Sequence, residues 1–339
     1  MRKRMKFSVC LSTGFEGVMY PIPFAGPEDF IAQAQLCERL GYDSVWGNDH
    51  ITTQNYVRDL FPGKPPNFYE PLIVLAAIAG ATKTIKLGTA LTVLPMRDPV
   101  YLAKQAISLD QMSNGRFIMA VGLGAYREEF LAWGGSRAAK ARRGDMMDEG
   151  LLALDMLFNQ PSASHEGAYY SFKDVEMFPK SRAQPFPLYI GGHNLEAIER
   201  AARYGQGWLP GWRPLTEMEQ RIRDLKARAA ELGRDPEAIE IAPQFSCTIA
   251  KTMEEAEKRY MESGLVAHRV SLAYTGRDLS HQVVANLVGS PDVILEKIEK
   301  LRAIGIQHCS ALMFPADTVE EMNEQIEWFG TEVMAKVPA

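Results

Sequence analysis

The chain has 339 residues, of which 46% are hydrophobic and 23% are charged, and its formal net charge is -5. This weakly acidic balance gives no electrostatic reason to expect a nucleic acid partner, and no segment has the length and apolar character of a membrane span. The four cysteines and six histidines are dispersed without the spacing of a zinc or redox motif, so no metal site is predicted. We therefore expect a soluble cytoplasmic protein.

Strand-like and helix-like segments alternate along the whole chain. The predicted strands cover residues 7–11, 44–46, 85–94, 116–124, 188–190, 207–210, 239–250 and 309–314. The predicted helices cover residues 28–40, 71–81, 100–112, 145–158, 195–204, 217–232 and 292–304. Eight parallel strands alternating with helices are typical of a TIM (β/α)8 barrel, which routinely reaches this length as one domain, here residues 1–339. The alternative is a doubly wound open sheet, which is weakened because no Gly-x-Gly-x-x-Gly follows the first strand.

Three segments are longer than simple strand-to-helix connections require. They cover residues 51–70, 160–184 and 254–290, and the second includes a predicted hairpin at 169–180. Long loops inside a compact domain are usually functional. We predict that these segments are insertions or lids at the entrance of a site.

The second predicted strand ends on two ionisable residues, Asp49 and His50. In a barrel of parallel strands the carboxyl ends of the strands carry the active site, so this pair is predicted to be catalytic. The alternative is structural, with Asp49 capping a turn and His50 bonding to it.

Two glycine pairs are predicted at the same rim of the barrel. Gly122 and Gly124 end the fourth strand, whereas Gly191 and Gly192 end the fifth. Glycine lets the backbone approach a ligand closely, and Asn194 can cap the next helix, so the second pair predicts an anion site suited to a phosphate. An ordinary turn remains the alternative for each pair.

Several neighbouring residues have two interpretations. The third strand ends in small residues, which leaves room for a ring system. His193 either bonds a ligand phosphate or only the turn. Arg97 is predicted to form a salt bridge, for which Asp98 is its neighbour, and Arg142–Arg143 to lie on a solvated face.

The motifs together resemble the bacterial luciferase-like family of flavin- and deazaflavin-dependent oxidoreductases. They are GYDSVWGNDH at 41–50, LGTALT at 87–92, MRDP at 96–99, LDQMSNGRF at 109–117, GLG at 122–124, YIGGH at 189–193 and GW at 207–208. The resemblance covers most of the chain to about residue 210.

That resemblance implies a luciferase-like TIM barrel that binds FMN or coenzyme F420 at the carboxyl ends of its strands. It also implies a non-prolyl cis peptide at Ala90-Leu91, against the cofactor ring, and a cofactor phosphate near Gly124 and Gly192-His193. The cofactor-binding residues predicted from the motifs and the resemblance are Thr89, Ala90, Leu91, Gly122, Gly124, Gly191, Gly192, His193 and Asn194. The implied partners are a small organic substrate, a separate flavin or F420 reductase, and a second copy of the chain in a homodimer.

The choice of cofactor depends on two positions. The Asp49-His50 pair resembles the deazaflavin-dependent branch, whereas many FMN-dependent monooxygenases of the family have Glu-His there. Some deazaflavin enzymes have a glutamate directly after Gly-x-Gly, where this chain has Ala125. The next carboxylates, Glu128 and Glu129, are predicted to be solvated. The sequence favours F420, with FMN as the alternative.

Each cofactor assigns His50 a proton-transfer role. With F420, His50 would take the proton from a substrate alcohol during hydride transfer, or return one during a reduction, and Asp49 would orient the imidazole. With reduced FMN and dioxygen, the protein would be a two-component monooxygenase whose site excludes water. A third possibility, from another class, is a flavin-binding barrel without turnover.

Overall fold

The computed structural model describes residues 4–271 and 281–338 of the chain. The strands are β1 (Lys6–Leu11), β2 (Ser44–Gly47), β3 (Lys86–Thr89), β4 (Thr92–Val93), β5 (Phe117–Gly122), β6 (Ala163–Glu166), β7 (Ser171–Val175), β8 (Leu188–Gly191), β9 (Gly207–Leu209), β10 (Glu240–Ile241), β11 (Gln244–Ile249), β12 (Leu287–Gly289) and β13 (His308–Met313). The α-helices are α1 (Pro27–Leu40), α2 (Asn55–Leu60), α3 (Pro71–Ala81), α4 (Pro99–Met112), α5 (Arg127–Lys140), α6 (Arg143–Asn159), α7 (Leu195–Tyr204), α8 (Leu215–Glu231), α9 (Met253–Met261), α10 (Gly264–Ser271), α11 (Gln282–Ala285), α12 (Pro291–Ala303) and α13 (Val319–Glu332). Short 3-10 turns lie at Leu94–Met96, Pro236–Ala238 and Met334–Lys336.

The wall of the molecule is a curled parallel sheet. The hydrogen-bonded order is β10-β9-β8-β5-β3-β2-β1-β13-β11-β12, with β4 paired to β5. The sheet closes where β10 and β11 form one wall strand interrupted at Ala242–Pro243: Ala242 N donates to Trp208 O of β9, and Ser310 N of β13 donates to Pro243 O. The predicted TIM barrel is confirmed.

The interior of the barrel is built from strands that are buried on both faces. Every residue of β5, with the sequence FIMAVG, is buried. Such continuous apolar runs are expected where helices cover the outside and side chains fill the inside. The helices outside begin at defined caps, as at α4, where Asp98 accepts hydrogen bonds from Val100 N and Tyr101 N and Pro99 takes the first helical position.

Two predicted strands are interrupted in the structure. The third, predicted over 85–94, is divided into β3 and β4 by a cis peptide at Ala90–Leu91 and ends in a 3-10 turn. The seventh is divided into β10 and β11. Hydrophobic periodicity does not detect such interruptions, because the residues on both sides of the break stay apolar.

Outside the predicted insertions, two helices of the described residues were not predicted. Helix α13 packs against α1 and covers the barrel after the last wall strand. Helix α5 contains a kink, since Gly134 and Gly135 have non-helical dihedral angles. The two glycines weaken the helical pattern of this segment, which explains why α5 was not predicted. Helix α5 also contributes a side chain to the candidate active site.

The three predicted insertions have different positions. Residues 160–184 contain an antiparallel hairpin of β6 and β7, which lies at 163–175 rather than at 169–180. The segment bonds to the outside of the barrel: Glu149 of α6 accepts from the turn amides of Tyr169 and Tyr170, and Asp110 near the end of α4 accepts from Arg182 N. This segment therefore lies against helices α4 and α6 on the outer surface of the barrel.

The other two insertions meet each other. Residues 51–70 contain α2, and residues 254–290 contain α9, α10, α11 and β12, although 272–280 lie outside the described residues. Tyr56 Oη of α2 lies 2.5 Å from Nδ1 of His268 in α10, and the two rings stack with centroids 5.9 Å apart.

None of the described helices has the length and apolar character that a bilayer crossing needs.

Candidate active site

A cavity of about 460 Å³ opens at the carboxyl ends of the wall strands. Ligand pockets typically fall between about 300 and 1,000 Å³. The predicted residues that line it are Asp49, His50, Ala90, Leu91, Gly122, Gly124, Gly191 and Gly192. The structure therefore brings the end of β2 and both glycine pairs to one rim of the barrel.

His50 is held from one side by a buried carboxylate. Its Nδ1 lies 3.1 Å from Oε1 and 3.3 Å from Oε2 of Glu129, in the first turn of α5. The Glu129 side chain is only 2% exposed, and its Oε1 also accepts from Ile51 N at 3.2 Å. Gln54 Nε2 lies 3.0 Å from the same ring nitrogen. These contacts fix the imidazole through Nδ1 and leave Nε2 as the ring nitrogen that a ligand in the cavity can meet.

The prediction that Glu129 is solvated is wrong, as is the role predicted for Asp49. Oδ1 of Asp49 accepts from Arg97 at 2.8 Å, and Oδ2 accepts from Val93 N at 3.0 Å. Asp49 thus ties β2 to the segment after the cis peptide, while Glu129 takes the place beside His50 that was predicted for Asp49.

Arg97 forms a salt bridge as predicted, but not with Asp98. Its guanidinium joins Asp49 to Glu70, which lies 2.9 Å away and caps α3. Burial would lower the pKa of Arg97, but the charges of Asp49 and Glu70 raise it above its usual value. Arg97 therefore remains a cation, and its two ion pairs hold Asp49 and Glu70 together.

The Leu91 side chain explains why two of the four rim positions are occupied by glycine. A Cβ on Gly122 would lie 2.6 Å from Leu91 Cδ1, and a Cβ on Gly191 would lie closer still. Real Cβ contacts are essentially never that short. Gly122 and Gly191 therefore make room for the Leu91 side chain, which stands between the ends of β5 and β8, at the cis peptide that the resemblance implied.

Gly124 and Gly192 are needed for their backbone conformation. Their φ angles are +74° and +109°, which side chains other than glycine rarely adopt. Arg143 donates to Gly124 O at 2.7 Å and lies over the Phe130 ring, so it is not on a solvated face as predicted. Burial, together with the nearby charge of Arg127, lowers the pKa of Arg143.

Three of the predicted cofactor-binding residues are not among the described residues that line this cavity. Thr89 is fully buried, and its hydroxyl donates to Ala120 O and accepts from Ala120 N, which joins β3 to β5. Asn194 caps α7 by accepting from Ala197 N at 3.0 Å. His193 bonds to Arg213, which does line the cavity.

The cavity is also lined by three residues with basic side chains that the sequence did not single out. Arg213, Arg269 and His268 line the cavity. Arg269 donates to Ser246 Oγ at 2.8 Å and lies over the Trp212 ring. These residues come from the connection after β9 and from α10, so their meeting depends on the tertiary fold.

A cavity with ionisable residues at the carboxyl ends of the strands is where TIM-barrel enzymes place their active sites. The chain belongs to the luciferase-like monooxygenase family, whose model matches residues 5–308. It is 24% identical over 330 residues to the FMNH2-dependent dimethylsulfone monooxygenase of Pseudomonas putida, a match that covers 90% of this chain and 86% of that protein.

Solved structures show the same fold. A monooxygenase from Streptomyces bottropensis superposes with a TM-score of 0.80 at 23% identity, over 98% of this chain and 99% of that one. An F420-dependent secondary alcohol dehydrogenase in complex with an F420-acetone adduct superposes with a TM-score of 0.78 at 21% identity, over 99% of this chain and 100% of that one. The protein is an oxidoreductase of the luciferase-like class, whose relatives use flavin or F420.

Proposed function

We propose that this enzyme transfers a hydride between coenzyme F420 and a small organic substrate, and that His50 carries the accompanying proton. The observation that supports this proposal is the carboxylate-held imidazole at the cavity, with Glu129 3.1 Å from Nδ1. Oxidation of an alcohol by hydride loss must also release the hydroxyl proton, and a positioned histidine is the commonest acceptor.

The residues at the cavity fit a flat phosphorylated cofactor. Leu91 lies at the rim between Gly122 and Gly191, where it would support one face of a ring system. The backbone at Gly124 and Gly192, just after the neighbouring wall strands β5 and β8, would hold the phosphate. When bound, such a cofactor supplies the hydride acceptor or donor.

The protein itself would position the reactants, keep water away from them and transfer the proton. The apolar rings of Phe68 and Tyr126 lie 5.8 and 5.9 Å from the His50 ring, which limits the access of water to it. A dry surrounding strengthens the electrostatic pairing of an imidazolium with Glu129.

FMN is the alternative cofactor, because the Pseudomonas putida relative is an FMNH2-dependent monooxygenase by name.

The first test is a titration of the purified protein with F420 and with FMN, followed by cofactor fluorescence. We expect saturable binding of F420. Mixing the F420 complex with a panel of small alcohols without oxygen should then bleach the absorbance of the oxidised deazaflavin. Binding of FMN alone, with turnover that consumes dioxygen, would contradict the proposal and assign the monooxygenase reaction instead.

A further inference from the structure

We propose that Glu129 is a positioning residue that keeps the proton of neutral His50 on Nδ1, which makes Nε2 a base for a substrate bearing a hydroxyl group. The tautomer follows from the contacts of His50 alone. The substrate class rests on the proposed function, since it requires a hydride acceptor.

The position of Glu129 is fixed by more than its contact with His50. The side chain is 2% exposed, belongs to the first turn of α5, and accepts from Ile51 N. Phe130, the next residue, is 1% exposed. The carboxylate is therefore held against the ring rather than free to turn away.

A carboxylate at Nδ1 decides where the ring proton lies. An ionised carboxylate only accepts hydrogen bonds, so the nitrogen that faces it carries the proton. Nε2 of the neutral ring then presents a lone pair to the cavity.

Gln54 is compatible with this tautomer in one of the two orientations of its amide group. Its Oε1 is buried and has no hydrogen-bond partner among the described residues, while its Nε2 lies 3.0 Å from Nδ1 of His50. The two ends of an amide group have nearly the same shape. With Nε2 toward Nδ1 the amide would donate to a lone pair there, whereas after half a rotation Oε1 faces Nδ1 and shares the ring proton with Glu129.

A lone pair that faces the cavity selects for a substrate that brings a proton. For an alcohol, the O–H bond breaks and its proton goes to Nε2. An F420 bound in the cavity would supply the acceptor for the hydride that carries the C–H electron pair, and the C–O bond would become a carbonyl. The imidazolium that results is balanced by Glu129, whereas a substrate without a hydroxyl group gives Nε2 nothing to accept.

The test measures the tautomer directly by nitrogen-15 NMR of the histidine rings, on the whole protein without cofactor and at a pH above the histidine titration range. We expect His50 to show the Nδ1-protonated pattern, and its signals are assigned by their loss in His50→Ala. Glu129→Gln should shift the ring toward a mixture with the Nε2-protonated form. Glu128→Gln is the matched control, because Glu128 lies beside Glu129 but accepts from Asn55 N at 3.3 Å.

The outcomes separate this proposal from the proposed function. An Nε2-protonated His50 in the wild type, or a Glu129→Gln spectrum identical to the wild type, overturns the positioning role whatever the cofactor is. If His50 is protonated at Nδ1, and this depends on Glu129, but the protein does not bind F420, the positioning role is supported and the proposed function is overturned.

Steady-state kinetics test the substrate class. With F420, Glu129→Gln should lower kcat for alcohols about 10- to 100-fold, as loss of a residue that orients a functional histidine does, with little change in KM. Glu128→Gln should leave both unchanged. An F420 complex that turns over only substrates without a hydroxyl group overturns the class.

Discussion

The two ends of the barrel each contain a histidine paired with a carboxylate. At the carboxyl end, His50 meets Glu129 at 3.1 Å. At the amino end, Nδ1 of His308, the first residue of β13, lies 2.8 Å from Oε1 of Glu240, the first residue of β10. The two pairs use the same ring nitrogen and the same kind of partner.

They differ in what meets the second ring nitrogen. Nε2 of His308 lies 2.9 Å from Ser8 Oγ, and the side chain is fully buried. Since Ser8 Oγ already accepts from Ala311 N at 2.8 Å, its own proton can be donated to Nε2. His308 therefore has a protein partner at both nitrogens and joins three strands, whereas the second nitrogen of His50 is left to the cavity. The second ring nitrogen is therefore what distinguishes the structural pair at the amino end from the pair that we propose to be catalytic.

The largest expected effect comes from His50→Ala. Turnover should fall roughly 100-fold or more, while cofactor affinity stays nearly unchanged, because the variant loses a proton carrier and no cofactor contact. The measurement is kcat in the F420 assay together with the fluorescence titration. His165→Ala is the matched control, since His165 lies on the outer hairpin, pairs with Glu149 of α6 and should not affect turnover. Unchanged turnover in His50→Ala would remove this residue from the mechanism.

The sequence was sufficient to predict the barrel and the rim. Strands of the predicted barrel recur at nearly the predicted positions, because buried parallel strands are apolar throughout and the helices between them are periodic. His50, Gly124 and Gly192 share one cavity because the carboxyl ends of parallel strands must lie at the same end of a barrel.

The partners of these residues could not be predicted in the same way. Glu129 is 79 positions from His50, and in the sequence it looks like any acidic residue of a first helical turn. Leu91 fills the space beside Gly122 and Gly191 only after three strands have assembled. Local patterns place a residue on an element, whereas the partner of that residue depends on how distant elements pack.

A second prediction addresses the amino-terminal pair. Glu240→Gln should lower the free energy of unfolding by about 2 kcal/mol at neutral pH while activity per folded molecule is unchanged. The loss is smaller than the 3 to 5 kcal/mol typical of a broken buried pair, because Gln still accepts a hydrogen bond. Denaturant unfolding followed by fluorescence measures it. A variant that unfolds as the wild type does would show that the pair contributes no stability.

The same pair predicts how stability depends on pH. Burial would raise the pKa of Glu240, but the hydrogen bond from His308 and the charge of Lys6 hold it well below its usual value of about 4.3. A lowered folded-state pKa stabilises the protein above the unfolded-state pKa, and this stabilisation is lost as the pH falls toward the folded-state pKa. The difference in unfolding free energy between the wild type and Glu240→Gln should therefore be constant above about pH 5 and shrink in more acidic solution. A difference that grows on acidification would reverse the sign and contradict the assignment.

The smallest expected effect comes from Ser8→Ala, which removes the protein partner of the second nitrogen of His308. The variant leaves Nε2 and Ala311 N without the hydroxyl that both contact, so unfolding should become easier by about 1 kcal/mol, partly offset where water enters the space. The informative result is that turnover stays at the wild-type level, because His308 is not among the described residues that line the cavity at the carboxyl end. If Ser8→Ala instead lowered kcat as strongly as His50→Ala, the two ends would not be functionally separate, and the engagement of the second nitrogen would not be what distinguishes them.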